Sequence, residues 1–253
     1  MGNELHKPTL RVLNIIELVA NTQSGYKLSE MSKQLNIPIS TLYPIVQTLK
    51  DKKYLNYDEQ SQTYSIGLRV FEMGSNFVDS SNSLERVMKV LRNIVSICKE
   101  TCHFGILDEG DVLYLAKVDS KEPIRMHSSI GKRLPAYGTA IGKALLRDYS
   151  YEQLKGLYPN GFKQLTQNTI VDMEVFYGQI LNIRETGYAY EKEESNELIT
   201  CIASPICKGE KVVAALSVAI PVFRFSEEKK VLVEEVLEEN VRYLEQLMPY
   251  LDI

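Results

Sequence analysis

The chain has 253 residues and a formal net charge of −4, with 44% hydrophobic and 25% charged residues. This composition is ordinary for a globular protein of one or two domains. No apolar run approaches the ~20 residues that a membrane-spanning helix needs. The first residues, MGNELHKPTLR, do not have the pattern of a signal peptide, and we therefore expect a cytoplasmic protein.

The negative charge is unevenly distributed along the chain. Residues 1–78 carry 8 Lys and Arg against 7 Asp and Glu, a net charge of +1, which leaves −5 for residues 79–253. A net charge of +1 is low for a nucleic-acid reader, because each phosphate contact adds to the affinity. A DNA reader in the first segment would therefore bind weakly as a single copy and would need a dimer or a higher assembly.

The first predicted elements are three short helices. Residues 9–21 and 29–35 have apolar side chains at helical spacing, and Asn36-Ile37-Pro38 interrupts this pattern. A third helix begins near Ser40, since apolar residues again recur at the spacing of one buried helical face; they are Leu42, Ile45, Val46 and Leu49.

After the third helix the pattern alternates with a period of two. Residues 54–57 and 63–66 are predicted strands joined by the polar loop 58–62, and residues 68–77 form a further helix. The order helix, turn, helix, hairpin is typical of a winged helix-turn-helix, which places one helix in the DNA major groove. The alternative is a small helical module that binds another protein.

Candidate DNA contacts lie on the outward face of the third helix and around it. Four polar side chains of that helix are expected to read bases: Ser40, Thr41, Tyr43 and Gln47. Four basic side chains are expected to contact phosphates: Arg11, Lys50, Lys52 and Lys53.

The remainder of the chain predicts an α+β domain, an antiparallel sheet flanked by helices. The predicted helices are residues 84–98, 138–147, 151–157, 173–186 and 227–251. The predicted strands are residues 102–107, 112–118, 123–127, 188–190, 201–207 and 212–220, with an acidic loop at 191–197.

Strings in both halves resemble the IclR family of transcriptional regulators. In the first half these are Leu10-Arg11-Val12-Leu13, Leu28-Ser29-Glu30-Met31, the stretch 36–43 and Tyr64-Ser65-Ile66-Gly67. In the second half they are the stretches 131–135 and 138–146, Cys201-Ile202-Ala203-Ser204-Pro205-Ile206 and Ala215-Leu216-Ser217-Val218. The resemblance implies a winged helix-turn-helix joined by a linker helix to a GAF-like effector domain, with repression or activation controlled by a small metabolite.

The resemblance also implies partners and a division of the chain. The expected partners are a double-stranded DNA operator, a small carboxylate effector and further copies of the chain in a homodimer or homotetramer. The expected domains are residues 1–67 for DNA binding, 68–83 as linker helix and boundary, and 84–253 for effector binding and oligomerisation.

Carried over by position, the family's effector site falls on Ala140, Ile141, Glu191, Cys201, Ala203, Ser217 and Ala219. If residues 138–142, starting at Gly138, open a helix, their N–H groups could hold a carboxylate. Arg125 and His127 alternate in a predicted strand and could pair with the same group; the alternative is that they face water. For Glu191 the alternative is a solvated loop charge, and for Cys201 and Ser217 it is strand packing.

Three features depart from the family pattern. Pro44 stands where an arginine is common, and proline is tolerated only near a helix start. The wing loop Asp58-Glu59-Gln60 is acidic. Glu191 and Ala219 replace a shorter carboxylate and a hydroxyl found in relatives that bind small oxoacids, which indicates a different ligand.

The four cysteines, Cys98, Cys102, Cys201 and Cys207, leave two further classes of function open. They are expected to be reduced thiols, with no metal and no cofactor, but a Cys98/Cys102 metal or redox pair or a GAF-like haem sensor is an alternative. Cys201, His127 and Glu191 contain the residue types of a nucleophilic enzyme. No motif fixes their geometry, so we expect no enzymatic activity.

Overall fold

The computed structural model describes residues 5–22, 24–79, 82–126 and 128–247, with only the backbone described at 76–79, 82, 83 and 247. The chain divides into two units, Met1–Ser80 and Ser81–Ile253. The predicted fold class, α+β with an N-terminal winged helix-turn-helix and a C-terminal antiparallel sheet flanked by helices, is confirmed. The assignment of functions to residues 1–67, 68–83 and 84–253 stays a prediction.

In its described residues, the N-terminal unit has four helices and one hairpin. In chain order they are α1 (Lys7–Ala20), α2 (Leu28–Leu35), α3 (Ile39–Asp51), β1 (Leu55–Asp58), β2 (Thr63–Ile66) and α4 (Leu68–Asp79). Its core consists of apolar side chains from α1, α2, α3 and the hairpin, and the fully buried ones include Ile15, Val19, Met31, Leu42 and Val46. The apolar residues that recur at helical spacing in the sequence are therefore the residues that form this core.

Pro44 lies inside α3, in its second turn, and the helix continues to Asp51. A proline has no N–H to donate to the carbonyl four residues earlier, which here is Ser40. The cost is limited because Pro44 is on the exposed face of the helix, where water can reach that carbonyl. The Thr48 hydroxyl donates to the carbonyl of Pro44 at 2.8 Å, one turn further on.

The hairpin is joined closely to the helices around it. Tyr64 of β2 forms an antiparallel bridge with Tyr26, the residue that precedes α2 by two positions. Gly67 follows β2, and a Cβ there would lie 2.2 Å from the carbonyl oxygen of Lys53. Only glycine allows this approach of the two backbones.

The C-terminal unit is built on one six-stranded antiparallel sheet in the order β5-β4-β3-β8-β7-β6. The strands are β3 (Thr101–Asp108), β4 (Asp111–Val118), β5 (Arg133–Pro135), β6 (Ala189–Lys192), β7 (Ile199–Lys208) and β8 (Lys211–Pro221). The helices are α5 (Asn82–Cys98), α6 (Ala140–Leu145), α7 (Tyr151–Leu157), α8 (Met173–Thr186) and α9 (Glu227–Leu247).

Each face of this sheet packs on a separate hydrophobic core. On one face, Ile202, Leu216 and Val218 pack with side chains of α5 and α9. On the other, Ala203 and Ala215 pack with side chains of α6 and α8. Because side chains alternate between the two faces of a strand, the register decides which residues lie beneath α6.

A buried ion pair joins the start of β3 to α9. The carboxylate of Glu100, 1% exposed, accepts two hydrogen bonds from the Arg224 guanidinium, at 2.7 and 2.6 Å. The ammonium of Lys229 on α9 lies 3.7 Å from the same carboxylate. Two cations therefore compensate one buried anion.

The structure corrects one predicted strand. Residues 123–126 are irregular rather than extended, and Pro123 offers no N–H to a sheet ladder. The predicted last helix agrees as far as Leu247, and its residues 248–251 lie outside the described part of the chain. Among the described helices, none has both the length and the hydropathy that crossing a bilayer requires.

Candidate functional site

The outward face of α3 presents the predicted base-reading residues to solvent. Leu42, Val46 and Leu49 are buried on the inner face, so the rotation of the helix is fixed by the core. Ser40 and Tyr43 are exposed on the opposite side, and Thr41 is half-buried beside them. This arrangement suits a helix that docks its N-terminal turns in the major groove.

Gln47 has a partner in the wing, which the sequence did not indicate. Its side-chain amide donates to the hydroxyl of Tyr64 on β2 at 3.1 Å. The Tyr64 ring is 5% exposed and packs against Tyr57, with ring centroids 4.7 Å apart. Gln47 therefore connects α3 to the wing in addition to its predicted contact with a base.

The predicted phosphate contacts are all exposed: Arg11, Lys50, Lys52 and Lys53. The ammonium of Lys50 lies 5.7 Å from the centroid of the Tyr57 ring. Lys53 has a left-handed backbone, φ 64°, in the turn between α3 and β1. That turn places two adjacent lysines at the junction of the recognition helix and the wing.

The acidic wing loop has a structural explanation. The Asp58 carboxylate accepts the N–H groups of Gln60 and Ser61, at 2.8 and 3.0 Å. These two bonds lower the pKa of Asp58, because they stabilise the ionised form. Asp58 thus closes the loop between β1 and β2, as Asx turns commonly do.

In the C-terminal unit the structure brings seven predicted effector residues together. In the ladder Glu191 pairs with Cys201 and Cys201 with Ala219. Two residues further along β7, Ala203 pairs with Ser217. All five have the same alternation as Ala203 and Ala215, which belong to the core beneath α6. Ala140 and Ile141 are on α6 itself, which packs on β6, β7 and β8.

The start of α6 depends on a hydroxyl and on a glycine. The Thr139 hydroxyl accepts the N–H of Gly142 at 3.1 Å and caps the helix. A Cβ on Gly142 would lie 2.2 Å from the carbonyl oxygen of Ala136, so no other residue fits. Gly138, also predicted for the site, is buried in the short 3-10 turn that precedes the cap.

A buried ion pair fixes α6 to the segment after β6. The ammonium of Lys143, 0% exposed, lies 2.5 Å from the carboxylate of Glu194 and donates to the carbonyl of Tyr190 at 3.2 Å. Burial lowers the pKa of Lys143, and the negative charge of Glu194 opposes that change. The sequence did not indicate either residue as part of the site, although Lys143 lies in the stretch 138–146 that carries the family resemblance.

Glu191 is 1% exposed and lies in strand β6, so the alternative of a solvated loop charge is wrong. One of its oxygens accepts the N–H groups of Glu194 and Ser195, at 2.5 and 3.1 Å. Burial raises the pKa of Glu191 to about 7, while the two N–H groups and the Cys201 thiol act in the opposite direction. Glu191 therefore changes its charge near neutral pH.

Cys201 is held as a neutral thiol. Burial, followed by the negative charge of Glu191, raises its pKa well above the ordinary value. A protonated thiol is a poor nucleophile, so this environment gives no support to the alternative of a Cys201 enzyme. All four cysteines are free thiols, and Cys98 and Cys102 are fully buried in the core beneath α5 and α9.

Two predicted effector residues are not part of the site as described. Arg125 is exposed in the irregular segment, where its guanidinium donates to the carbonyl of Glu122 at 3.3 Å. The prediction that it extends from a sheet strand is therefore wrong. His127 lies outside the described residues. Within those residues, no group of three or more His, Cys, Asp or Glu side chains is arranged to hold a metal ion.

A second polar group, which the sequence favours as a structural histidine rather than a ligand-binding one, lies on the same sheet face. His103 pairs with Ser217 and with Lys117 in the ladder. Its Nε2 is 2.7 Å from the hydroxyl of Ser128, and burial lowers its pKa to about 4. His103 is therefore a neutral hydrogen-bonding group next to Ser217.

A winged helix-turn-helix followed along the chain by a separate α+β sheet domain defines a class of protein, the two-domain transcriptional regulators. Comparison with protein families identifies the particular family within this class. The IclR helix-turn-helix domain matches residues 8–59, and the bacterial transcriptional regulator IclR C-terminal domain matches residues 75–245. The chain belongs to the IclR family of transcriptional regulators, and the resemblance found in the sequence is confirmed.

Known proteins of this family are similar along almost the whole chain. The HTH-type transcriptional regulator KdgR of Escherichia coli K12 is 33% identical over 248 residues, which are 96% of this chain and 93% of that protein. The structure of an IclR transcriptional regulator from Alicyclobacillus acidocaldarius has a TM-score of 0.86 at 21% identity, covering 96% of this chain and 99% of that one. An IclR homologue from Microbacterium hydrocarbonoxydans, crystallised with 4-hydroxybenzoate, has a TM-score of 0.78 at 20% identity, covering 94% and 97%.

Proposed function

We propose that this regulator binds operator DNA through α3 and the wing, and that a small metabolite bound beneath α6 changes its affinity for that DNA. The observation that carries the proposal is the convergence of Glu191, Cys201 and Ser217, from three adjacent strands, on the sheet face that α6 covers. Buried polar groups on a largely apolar face are typical of small-molecule sites.

The proposed effector is a small carboxylate. An IclR homologue of the same fold was crystallised with 4-hydroxybenzoate, which is a carboxylate. In this chain, Ser217 and His103 supply hydrogen-bonding groups on the same face. The further residues proposed for contact are Gly138, Ala140, Ile141, Ala203 and Ala219.

The proposed assembly is a homodimer or homotetramer. The N-terminal segment 1–78 has a net charge of only +1, so one copy neutralises few phosphates and binds weakly. Two readers joined in one assembly contact two half-sites, and the second contact gains from the first. The effector then acts by favouring one arrangement of the two readers, and its influence equals its difference in affinity for the two arrangements.

The decisive experiment measures binding of purified full-length protein to the DNA upstream of its own gene, at several salt concentrations. We expect a specific complex whose affinity falls as salt rises. Metabolites that raise the melting temperature of the protein are then added, and at least one should change the DNA affinity. Absence of salt-dependent binding with and without these metabolites would refute the proposal.

A further inference from the structure

Two carboxylate oxygens of the proposed effector site have no hydrogen-bond partner. In the described part of the chain, the buried side-chain nitrogen and oxygen atoms without a partner are Glu191 Oε2, Glu194 Oε2 and Gln179 Oε1. Glu191 and Glu194 are 1% and 5% exposed. Buried polar atoms in native proteins are almost always paired, with protein, water or a ligand. These two oxygens therefore indicate which hydrogen-bonding groups a ligand of this site carries.

Most of the surrounding protein donors are directed at other acceptors. Both N–H groups that approach Glu191, those of Glu194 and Ser195, donate to its Oε1. The Lys143 ammonium donates to Glu194 Oε1 and to the carbonyl of Tyr190. The neighbouring Cys201 thiol also interacts with the Glu191 carboxylate, but a thiol is only a weak donor. In the described part of the chain no protein N–H or O–H donates to the two remaining oxygens, so a ligand can supply their donor.

The charge of the cluster excludes a bare carboxylate at this position. One ammonium, on Lys143, lies among two carboxylates, those of Glu191 and Glu194. A third carboxylate here would meet two like charges in a buried environment, and one of the three would have to take up a proton. A hydroxyl or an amino group, in contrast, supplies the hydrogen that ionised carboxylates accept.

We propose that the effector places a hydrogen-bond donor, a hydroxyl or an amino group, against Glu191 Oε2 and Glu194 Oε2. The site then selects hydroxylated or aminated carboxylates over the oxo and unsubstituted acids of the same carbon skeleton. This inference rests on the proposed function and specifies the ligand class of the same site. The carboxylate of the effector lies elsewhere, away from these two oxygens.

The direction of the pH dependence separates the two modes of binding. The groups that face Glu191 are Lys143 from α6, Glu194 from the following segment, Cys201 from β7 and Tyr114 from β4. The thiol and the phenol are neutral near pH 7, because burial raises both pKa values, and Lys143 is paired with Glu194. Glu191, with a pKa of about 7, is the group that changes charge.

A donor ligand binds the ionised form of Glu191, so its affinity should rise with pH. For a group of pKa near 7 the ionised fraction increases roughly tenfold between pH 6 and pH 8, and the affinity should increase by up to the same factor. A bare carboxylate would need the protonated form and would show the opposite dependence. The sign of the change therefore tests the proposal without any substitution.

The experiment compares matched acids by the melting temperature of the full-length protein. The three-carbon set is lactate, alanine, pyruvate and propionate, and the six-carbon set is gluconate, norleucine, 2-oxohexanoate and hexanoate. We expect the hydroxylated or the amino member of a set to raise the melting temperature, while the oxo and unsubstituted members at equal concentration do not. Comparison of the hydroxylated with the amino member of each set shows which of the two donor groups the site binds.

Glu191→Gln is the matched variant. Its amide oxygen must occupy the position that accepts two N–H groups, so its NH₂ replaces the accepting Oε2, and the preference for donors should be lost. Glu197→Gln, an exposed change in the same segment, should keep it. If Glu191→Gln does not fold, the pH series on the unmodified protein decides the question.

Several outcomes would overturn the inference. They are equal stabilisation by the oxo or unsubstituted acids, no stabilisation by any donor acid, a retained preference in Glu191→Gln, and an affinity that rises as the pH falls. An acid without a donor that alters both melting temperature and DNA affinity would overturn the inference and leave the proposed function standing. Salt-dependent DNA binding is measured separately, so the proposed function and this inference can fail independently.

Discussion

Two buried charges in the C-terminal unit, those of Glu100 and Lys143, each have compensating partners of opposite sign. The carboxylate of Glu100 is matched by Arg224 and Lys229, and the ammonium of Lys143 by Glu194. Removing water from a charge is costly, and the pairing offsets that cost only while both partners are present. The loss of one partner is therefore more harmful than the formation of the pair is favourable.

This asymmetry predicts the effect of Arg224→Ala. The variant leaves the Glu100 carboxylate buried with only Lys229 nearby, and we expect a loss of about 2–4 kcal/mol in the free energy of unfolding. Arg242→Ala is the control, because Arg242 forms an exposed pair with Glu238 on α9 and should change stability by less than about 0.5 kcal/mol. Urea denaturation of both variants measures the difference. Equal effects would show that burial of the pair does not matter.

Among the secondary-structure elements, α3, the proposed DNA-reading helix, carries few charges. Lys50 is its only basic side chain, with Lys52 and Lys53 just beyond its end and Pro44 at the centre of its outward face. Phosphate contacts give affinity without sequence preference, and neutral polar side chains give preference. We expect the wing to contribute to sequence preference as well, because Gln47 donates a hydrogen bond to the hydroxyl of Tyr64 on β2.

Substitutions in and beside α3 should separate affinity from specificity. Lys53→Ala should weaken binding to every DNA sequence alike and reduce the salt slope by about 1. Gln47→Ala should lower discrimination between operator and altered sites by about 1–3 kcal/mol. Anisotropy titrations with operator and single-base variants measure both.

Tyr64→Phe is the control for Gln47, because it removes the acceptor hydroxyl and keeps the buried ring. If Gln47 reads a base directly, the Tyr64→Phe variant should retain its sequence preference. A shared loss of preference in both variants would instead show that Gln47 acts by holding the wing in place.

On the scale of the whole molecule, α4 is the candidate transmitter between effector and DNA reader. It follows the wing directly at Gly67 and extends from Leu68 to Asp79, one residue before the last residue of the N-terminal unit. A helix transmits a change only if it stays helical. Its exposed positions 72 and 73 allow this requirement to be tested without disturbing a core.

The double variant Glu72→Gly/Met73→Gly should uncouple the two sites. Each glycine costs roughly 1 kcal/mol relative to alanine in a helix, so the helix should fray while both domains remain folded. Effector binding and DNA binding should each persist, but the effector should no longer change the DNA affinity. The alanine double variant at the same positions should behave as the unmodified protein. Loss of effector binding in the glycine variant would contradict the role of α4 as a transmitter.

The sequence predicted the elements well because their signals are local. The apolar spacing in residues 9–51, the alternation in the wing and the runs at 201–207 and 212–220 are each visible in a short window. The strand predicted at 123–127 was wrong over its described residues, 123–126, for the same reason: alternation over so few residues does not show whether a neighbouring strand is there to pair with.

The site could be predicted only in part, since its chemistry depends on contacts distant in the chain. Glu191 lies among several acidic residues, and such a segment is typical of a solvated loop. The fold nevertheless buries Glu191 beneath α6. Lys143 and Glu194 are 51 positions apart, and nothing between them indicates that they meet. The pKa of Glu191 follows from this burial and could not be obtained from the sequence.

The Lys143–Glu194 pair also limits how this protein can evolve. A change of either residue alone leaves an uncompensated charge inside the domain, which is typically worth about 3–5 kcal/mol and is a large fraction of the stability of an ordinary domain. Replacing both together by apolar residues of similar volume costs far less. Descendants of this gene should therefore keep both residues or lose both, and lineages with only one of them should be rare.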